Sequence, residues 1–286
     1  MFKPYNCVTK KMPELPEVET VKTGLSNNII SSKIKSIKIY QDQLRWKIDS
    51  QIKSWLNEAI IIDVRRRAKY LLIYTTKGNI IIHLGMSGSI TLKNNTHGKI
   101  KHDHVEFYLE NPEMNMVYND PRRFGFIIYT NSDPLQHKLL SKLGPEPLSK
   151  YFSDEYLYNR SHISRRTIKS LIMDQKIVVG VGNIYACEAL FLSQINPKTL
   201  SNKLNIGHIN SIVNNVKITL NKSINEGGTT LKDFKNTKGK PGYFSQSLYV
   251  YGRKGQKCLI CNHIINSVVL SQRNSFFCPN CQKDES

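Results

Sequence analysis

The sequence predicts an α+β protein: an N-terminal β-sandwich with flanking helices, then a helical block, then a C-terminal hairpin around four cysteines. Three observations support this prediction. Short segments rich in β-branched and aromatic residues fill positions 33–130, apolar residues recur at helical spacing further on, and two Cys-x2-Cys pairs lie near the C-terminus. A chain of 286 residues can bury a sizeable core and form two or three domains.

The first predicted element is an amphipathic helix that runs from Pro13 to about residue 30. Apolar residues recur there at helical spacing, at Val18, Val21, Leu25 and Ile29. Proline suits the start of a helix because its fixed φ matches the first turn.

The second part of the chain predicts a largely antiparallel sandwich. Gly, Asn and Pro separate its short apolar segments, as is typical of strands joined by tight turns. The predicted strands cover residues 34–40, 69–75, 79–84, 104–109 and 124–130.

Helical periodicity returns after the segment 143–148, Leu-Gly-Pro-Glu-Pro-Leu, which interrupts regular structure between domains. Helices are predicted at 166–174, 183–192 and 206–225. The predicted division is an extension at 1–12, a sandwich domain at 13–130, a linker at 131–145, a helical domain at 146–236 and a cysteine module at 248–282.

A formal net charge of +19 and a pI near 9.6 favour a polyanionic partner, with nucleic acid as the leading candidate. The alternative explanation of this charge is a lysine-rich proteome, which implies no particular partner. No apolar run approaches the roughly 18–20 residues that cross a bilayer, and residues 1–11 lack the apolar core of a signal peptide. An upstream start codon assigned in error explains these residues more simply than an organelle presequence does.

Four cysteines form one pattern, in which sixteen residues separate two pairs: Cys258, Cys261, Cys278 and Cys281. Pairs at this separation can surround one zinc ion, and four protein ligands would make that zinc structural. Two disulfides are the alternative, which the lack of a secretory context disfavours. Cys187 lies in a predicted helix and is expected to be a small buried apolar residue.

Pro13 and Glu14 could carry covalent chemistry if Pro13 were the first residue of the mature chain. A terminal amine has a pKa near 8, so part of it is neutral and nucleophilic at pH 7. Glu14 could then move a proton. Taken alone, however, Pro-Glu is an ordinary helix start.

The full set of motifs changes this balance. In order, the chain contains PELPEVET (13–20), RRRAKYLL (65–72), HLGMSG (83–88), KHDHVEF (101–107), DPRRFG (120–125), LGPEPL (143–148), VVGVGNIYACEAL (178–190), GGTTLKDF (227–234), GKPGYF (239–244), VYGRKG (250–255) and the cysteine pairs. Together they closely resemble the formamidopyrimidine-DNA glycosylases, which are bacterial base-excision enzymes. The opening PELPEVET differs from the PEGPE-type start of the sister family, endonuclease VIII.

The resemblance implies a bifunctional DNA glycosylase and abasic-site lyase that excises 8-oxoguanine and formamidopyrimidines from duplex DNA. Pro13 would form a Schiff base with the sugar, Glu14 would be its acid/base partner, and Lys69 would serve β-elimination. Arg273 would contact phosphate and assist δ-elimination. If the stretch were extended, strand alternation would place Arg65, Arg67 and Lys69 on one face.

The resemblance also implies the DNA contacts. Met86, Arg122 and Phe124 would fill the gap left by an everted nucleotide, although burial in the core is the simpler expectation for the two apolar residues taken singly. Small residues at 180–183 would let a phosphate approach the helix that follows. The segment 227–243 resembles a loop that closes over the everted base. Further contacts are expected at His83, His102, Lys169 and Asn183.

The implied protein is a monomer in the bacterial cytoplasm, bound to one structural Zn²⁺ and to double-stranded DNA that contains oxidised purines or abasic sites. This reading requires Met12 to be the functional start and to be removed. If residues 1–12 stay attached, the alternative is a non-catalytic, zinc-containing protein that binds damaged DNA. A weaker alternative is a zinc-ribbon module with no preference for lesions.

Overall fold

The computed structural model describes residues 13–94, 98–110, 114–228 and 248–283. The predicted extension at 1–12 and most of the predicted loop at 227–243 lie outside these residues. Within them the α+β class is confirmed: a β-sandwich, a helical block and a two-stranded C-terminal hairpin follow one another.

The sandwich consists of one antiparallel sheet that folds onto itself. Its strand order is β5-β7-β6-β1-β2-β3-β4-β8. The strands are β1 (Lys33–Ile39), β2 (Ala59–Arg67), β3 (Tyr70–Thr75), β4 (Gly78–His83), β5 (Ser89–Asn94), β6 (Asp103–Glu110), β7 (Met114–Asn119) and β8 (Phe126–Thr130).

The sheet bends where β1 meets β2, because these strands pair at two positions only, Lys33 with Ile60 and Ile34 with Ala59. The two halves then face each other across a shared apolar core. A hydrogen bond of 3.4 Å from the Tyr118 hydroxyl on β7 to the carbonyl of His83 on β4 joins the halves, although these strands are not neighbours in the sheet.

All five predicted strands are present with shifted ends, whereas β2, β5 and β7 were not predicted. The expectation that Arg65, Arg67 and Lys69 share one face is wrong. β2 ends at Arg67, which pairs with Tyr70, so Ala68 and Lys69 form a two-residue hairpin turn in which Ala68 has a φ of 53°. Strand alternation stops at this turn, so it does not place Lys69 on the face of Arg65 and Arg67.

Helix α1 (Leu15–Ile29) lies between the sandwich and the helical block, in contact with β2 and α6. Its apolar stripe is at most 1% exposed, at Leu15, Val18, Val21, Leu25 and Ile29. The N-terminal segment of the chain therefore joins the two halves of the molecule.

The helical block contains α3 (Asp154–His162), α4 (Ile168–Ile172), α5 (Asn183–Leu192) and α6 (Ile206–Asn225), while a short helix α2 (Ile52–Trp55) belongs to the sandwich. The bounds of α5 and α6 match the sequence prediction, α4 is shorter than predicted, and α3 was not predicted. α5 is buried on nearly all sides because it packs between α6 and the C-terminal hairpin. None of the described helices is long and apolar enough to span a membrane.

The C-terminal hairpin consists of β9 (Asn266–Leu270) and β10 (Arg273–Phe277). Glu188 of α5 connects the helical block to the segment that precedes it. Its buried carboxylate accepts hydrogen bonds from the backbone N–H groups of Tyr249, Val250 and Tyr251 at 2.7, 3.0 and 2.8 Å.

We expect Glu188→Ala to lower the free energy of unfolding by about 3 kcal/mol, because it leaves three buried N–H groups without an acceptor. Urea denaturation measures this. Glu155→Ala, at an exposed position of α3, is the matched control and should cost no more than about 0.5 kcal/mol. Equal effects of the two substitutions would contradict the assignment.

Candidate active site

A cleft of about 450 Å³ opens where the sandwich, the helical block and the C-terminal hairpin meet. Six residues singled out from the sequence line it: Glu14, Lys69, His83, Met86, Asn183 and Arg273. The cleft is also lined by side chains that the sequence analysis missed, among them Arg45, Tyr70, Gln175 and Tyr251. Arg45 and Gln175 lie outside every motif quoted above, and Tyr70 and Tyr251 lie within motifs that did not indicate a role for them, since only the fold brings these residues to the cleft.

Glu14, the residue before α1, lies in the wall of this cleft, whereas Pro13 is not among the residues that line it. Pro13 is buried beside Glu14, which is 5% exposed. The backbone N–H of Glu14 donates to the carboxylate of Glu17 at 2.8 Å, and the Tyr185 hydroxyl donates to the same carboxylate at 2.7 Å. Glu17, which the sequence analysis passed over, is completely buried and thereby anchors the first turn of the chain to α5.

The turn before α5 is shaped to receive this first turn. A Cβ atom on Gly182 would lie 2.0 Å from the carboxyl carbon of Glu14, and one on Gly180 would lie 2.4 Å from the side chain of Leu15. Glu14 accepts a hydrogen bond of 3.4 Å from the N–H of Ile184. The glycines therefore make room for Glu14 and Leu15, where the sequence analysis had expected them to make room for a phosphate.

Glu14 and Lys69 lie close enough for each to affect the pKa of the other. Burial raises the pKa of Glu14 to about 7, and the nearby Lys69 ammonium opposes this rise. Burial likewise lowers the pKa of Lys69, while Glu14 acts in the opposite direction. Among the described residues, one carboxylate oxygen of Glu14 is buried without a hydrogen-bond partner. Burial therefore brings the pKa values of these two groups closer together.

The turn that carries Lys69 is held by Glu146 of the Leu-Gly-Pro-Glu-Pro-Leu segment. The Glu146 carboxylate accepts from the N–H of Ala68 at 2.7 Å. It also forms ion pairs with Arg66 at 2.7 Å and Arg67 at 2.9 Å. The contacts of Arg66, Arg67 and Ala68 with Glu146 are thus within the protein, and they set the position of Lys69.

His83 lies at the cleft in an aromatic group. Its ring stacks on Phe126 at 5.3 Å and lies 5.0 Å from Tyr70. Burial, assisted by Lys69 and Arg45, lowers the pKa of His83 to about 4, so the imidazole is neutral at pH 7. Because Nδ1 accepts from the N–H of Gly85 at 3.0 Å, Nε2 carries the hydrogen and can donate.

Two loops place Met86, Arg122 and Phe124 at the surface. We call residues 84–88 the Met86 loop and residues 120–125 the Phe124 loop. Phe124 is 46% exposed, and the Arg122 guanidinium lies 4.7 Å from the centre of its ring. Met86 is half-buried and lines the cleft. Neither apolar side chain belongs to the core, so the simpler expectation for each is wrong.

Lys169 is enclosed by protein, with 1% exposure. Its ammonium donates to the side-chain oxygen of Asn183 and, at 2.6 Å, to the hydroxyl of Ser275. Asn183 in turn donates to the carbonyl of Asn274 at 2.9 Å. Lys169 therefore links α4, α5 and β10 and does not line the cleft.

Two further predicted contacts differ in their placement. His102 is half-buried with a φ of 72° and is not among the residues that line the cleft. Arg273 is exposed and lines the cleft from the first position of β10. It follows a two-residue turn, Ser271 and Gln272, whose φ values of 46° and 61° suit a tight hairpin.

The four cysteines converge at the base of this hairpin, with their sulfur atoms within 4.8 Å of one another. The Sγ of Cys261 lies 3.4 Å from those of both Cys278 and Cys281, and the Sγ atoms of Cys258 and Cys281 are 3.9 Å apart. A tetrahedral zinc with Zn–S bonds of about 2.3 Å places its sulfur ligands about 3.8 Å apart. The cluster therefore fits one structural zinc ion.

Three family models match the chain: the formamidopyrimidine-DNA glycosylase N-terminal domain at 12–127, the H2TH domain of the same enzymes at 143–235, and the zinc finger found in FPG and IleRS at 255–283. The chain belongs to the formamidopyrimidine-DNA glycosylase family. Its zinc finger and helical domain are thus those of a DNA-repair glycosylase.

Relatives and solved structures agree with this assignment. Formamidopyrimidine-DNA glycosylases from Aliivibrio fischeri and Glaesserella parasuis are 46% and 47% identical to the chain, over 95% of its length and 98% and 99% of theirs. The Lactococcus lactis Fpg in complex with abasic-site DNA has a TM-score of 0.86 at 32% identity. MutM in complex with carbocyclic 8-oxo-G DNA has a TM-score of 0.85 at 33% identity. Both structures cover 95% of this chain and all of theirs.

We expect Cys258→Ser to release zinc, because it removes one of four thiolate ligands, and to loosen the hairpin that carries Arg273. Metal analysis should give much less than one zinc per chain, and mobility shifts should show loss of binding to lesion DNA. The sandwich should stay folded. Cys187→Ala, outside the cluster, is the control and should retain zinc. DNA binding that survives the loss of zinc would contradict the structural role.

Proposed function

We propose that this glycosylase excises 8-oxoguanine and formamidopyrimidines from duplex DNA with Pro13 as nucleophile, and then cuts the abasic strand by β- and δ-elimination. The observation that carries the proposal is the fixed position of Pro13 and Glu14 beside a cleft that also contains Lys69, His83 and Arg273. An amine at that point could reach a sugar that enters the cleft.

In the first step the Pro13 nitrogen bonds to C1′ of the sugar as the bond from C1′ to the damaged base breaks, and the base leaves with a proton. The nitrogen lone pair then forms an iminium as the ring C1′–O4′ bond opens. Glu14, with a pKa of about 7, can supply the proton that O4′ takes up.

Elimination follows from the iminium. Loss of a C2′ proton expels the 3′ phosphate, and loss of a C4′ proton then expels the 5′ phosphate. Lys69, whose pKa is lowered by burial, can accept a proton in the first elimination. The exposed cation of Arg273 can hold the phosphate during the second.

The mechanism requires a free amine at Pro13. In the 286-residue chain this nitrogen is part of an amide with Met12, and an amide nitrogen does not attack a sugar. The active form would therefore begin at Met12 and lose that methionine. The match to the N-terminal family model, which starts at residue 12, supports this start.

We propose that Met86, Arg122 and Phe124 fill the space of the everted nucleotide, since two of them are at least partly exposed and apolar, and that Arg122 bonds the unpaired base. His83, His102, Lys169 and Asn183 would support the DNA contact. For the enclosed Lys169 this support would be indirect, through Asn183.

Four protein thiolates would hold the zinc and keep the Arg273 hairpin in shape. The domain boundaries at 13–130, 146–236 and 248–282 stay predictions. So do a monomeric state and a location in the cytoplasm on the bacterial chromosome.

A second candidate function rests on the amide at Pro13. If residues 1–12 remain attached, the chain would be a zinc-containing protein that binds damaged DNA without cutting it. The two candidates differ in covalent chemistry alone, because both would bind DNA more weakly as salt rises.

Borohydride trapping separates them. Protein that begins at Pro13 should form a covalent adduct with 8-oxoguanine DNA when borohydride reduces the iminium, whereas protein that keeps residues 1–12 should form none. Denaturing gels measure the adduct. No adduct with the Pro13 form would refute the mechanism, and full activity of the extended form would assign the chemistry to another side chain.

We expect Lys69→Ala to slow excision of 8-oxoguanine by at least about ten-fold, because the Lys69 ammonium acts on the Glu14 carboxyl that protonates O4′. Strand cleavage at a preformed abasic site should fall less, because the abasic sugar already opens to the aldehyde in water and water can take up the C2′ proton in place of Lys69. Single-turnover assays on both substrates measure this. Lys53→Ala, exposed on α2, is the matched control and should leave both rates unchanged. Equal losses on the two substrates would contradict the expected order.

A further inference from the structure

We propose that Ser87 and Asp120 are positioning residues that fix the Met86 loop and the Phe124 loop as one unit before DNA binds. The inference rests on the proposed function, in which the side chains of these loops fill the gap left by an everted base. It adds that the two loops act together through a buried carboxylate.

The two loops share a compact hydrogen-bond centre. Asp120 is completely buried, and its carboxylate accepts from the Ser87 hydroxyl at 2.5 Å and from the N–H of Gly125 at 2.9 Å. The Tyr118 hydroxyl lies 3.3 Å from it and shares its one hydrogen between this carboxylate and the His83 carbonyl. The Ser87 oxygen in turn accepts from the N–H of Arg122 at 3.0 Å. Ser87 therefore bonds to the side chain of Asp120 and to the backbone of Arg122, both in the Phe124 loop.

This carboxylate has no ion pair with a lysine or arginine among the described residues. A buried carboxylate without a cation is costly unless several donors converge on it. Asp120 meets that condition only while both loops keep their present positions. Displacing either loop would remove donors from the carboxylate, so each loop holds the other.

The backbones of the loops also touch. A Cβ on Gly85 would lie 2.4 Å from the nitrogen of Gly125 and 2.4 Å from the carbonyl carbon of Phe124. Contact this close leaves no room for one loop to slide past the other. The hydrogen-bond centre therefore sets the positions of Met86 and Phe124 relative to each other.

Loops that are fixed before DNA binds would speed eversion of the base and leave the chemical step unchanged. If the loops were loose, their ordering would have to accompany opening of the base stack, and the lost conformational freedom would slow that step. Neither Ser87 nor Asp120 lines the cleft. Their removal should therefore leave attack by Pro13 intact wherever no base stack must be opened.

The test compares Ser87→Ala with Ser36→Ala, an exposed serine on β1, in protein that begins at Pro13. Single-turnover excision from an 8-oxoguanine duplex should fall by about ten-fold in Ser87→Ala, corresponding to the loss of one hydrogen bond to a charged group. Borohydride trapping on a single-stranded abasic oligonucleotide should change by less than about two-fold. A 2-aminopurine beside the lesion should show slower unstacking.

Asp120→Asn and the double variant test whether the pair works as a unit. If it does, the double variant should be no slower in excision than the slower single variant, because the shared interaction is already lost. Additive losses would show that the residues act separately and would overturn the proposal.

Other outcomes are equally decisive. Normal excision and unstacking by Ser87→Ala, or equal losses on duplex and single-stranded substrates, would also overturn the proposal. If Asp120→Asn does not fold, the comparison of Ser87→Ala with its control still decides. Failure of the unsubstituted protein on every substrate would count against the proposed function and not against the positioning role.

Discussion

The rest of the active site depends on how the first turn of α1 is buried against the glycine turn before α5. Glu17 accepts bonds from the N–H of Glu14 and from Tyr185, and Gly182 leaves the space that the Glu14 carboxylate fills. This contact places the N-terminal segment of the sandwich domain in the wall of a cleft formed with the helical block. Without it, Glu14 would have neither its buried surroundings nor its raised pKa.

Buried or half-buried carboxylates connect distant segments throughout the molecule. Glu17 joins α1 to α5, Glu146 joins the inter-domain segment to the Lys69 turn, and Glu188 joins α5 to the segment before the hairpin. Asp120 does the same between two loops. In a chain with 41 basic and 22 acidic residues, these acids are used inside the protein, which leaves a cationic excess for a polyanion outside.

The arginine-rich motif shows why charge alone misleads. In sequence, strand alternation predicted that Arg65, Arg67 and Lys69 share one face of an extended stretch. In the structure, Arg66 and Arg67 form ion pairs with Glu146. Arg65 forms an ion pair with Asp63 at 2.6 Å. Lys69 reaches the cleft because the chain turns at Ala68, which no alternation pattern could have indicated. Lys169 illustrates the same limit, since its partners come from three separate elements.

The order of residues was sufficient to predict the fold class, the bounds of α5 and α6, the four zinc ligands and the family. The first three depend on local periodicity or fixed spacing, which the order of residues encodes directly, and the family rests on the resemblance of the motifs. Folding, in contrast, brings Arg45, Tyr70 and Tyr251 to the cleft. It also lets Glu17 anchor the first turn of α1 and lets Asp120 join two loops. These roles arise from contacts between residues far apart in the chain, and such contacts leave no periodic trace in the sequence.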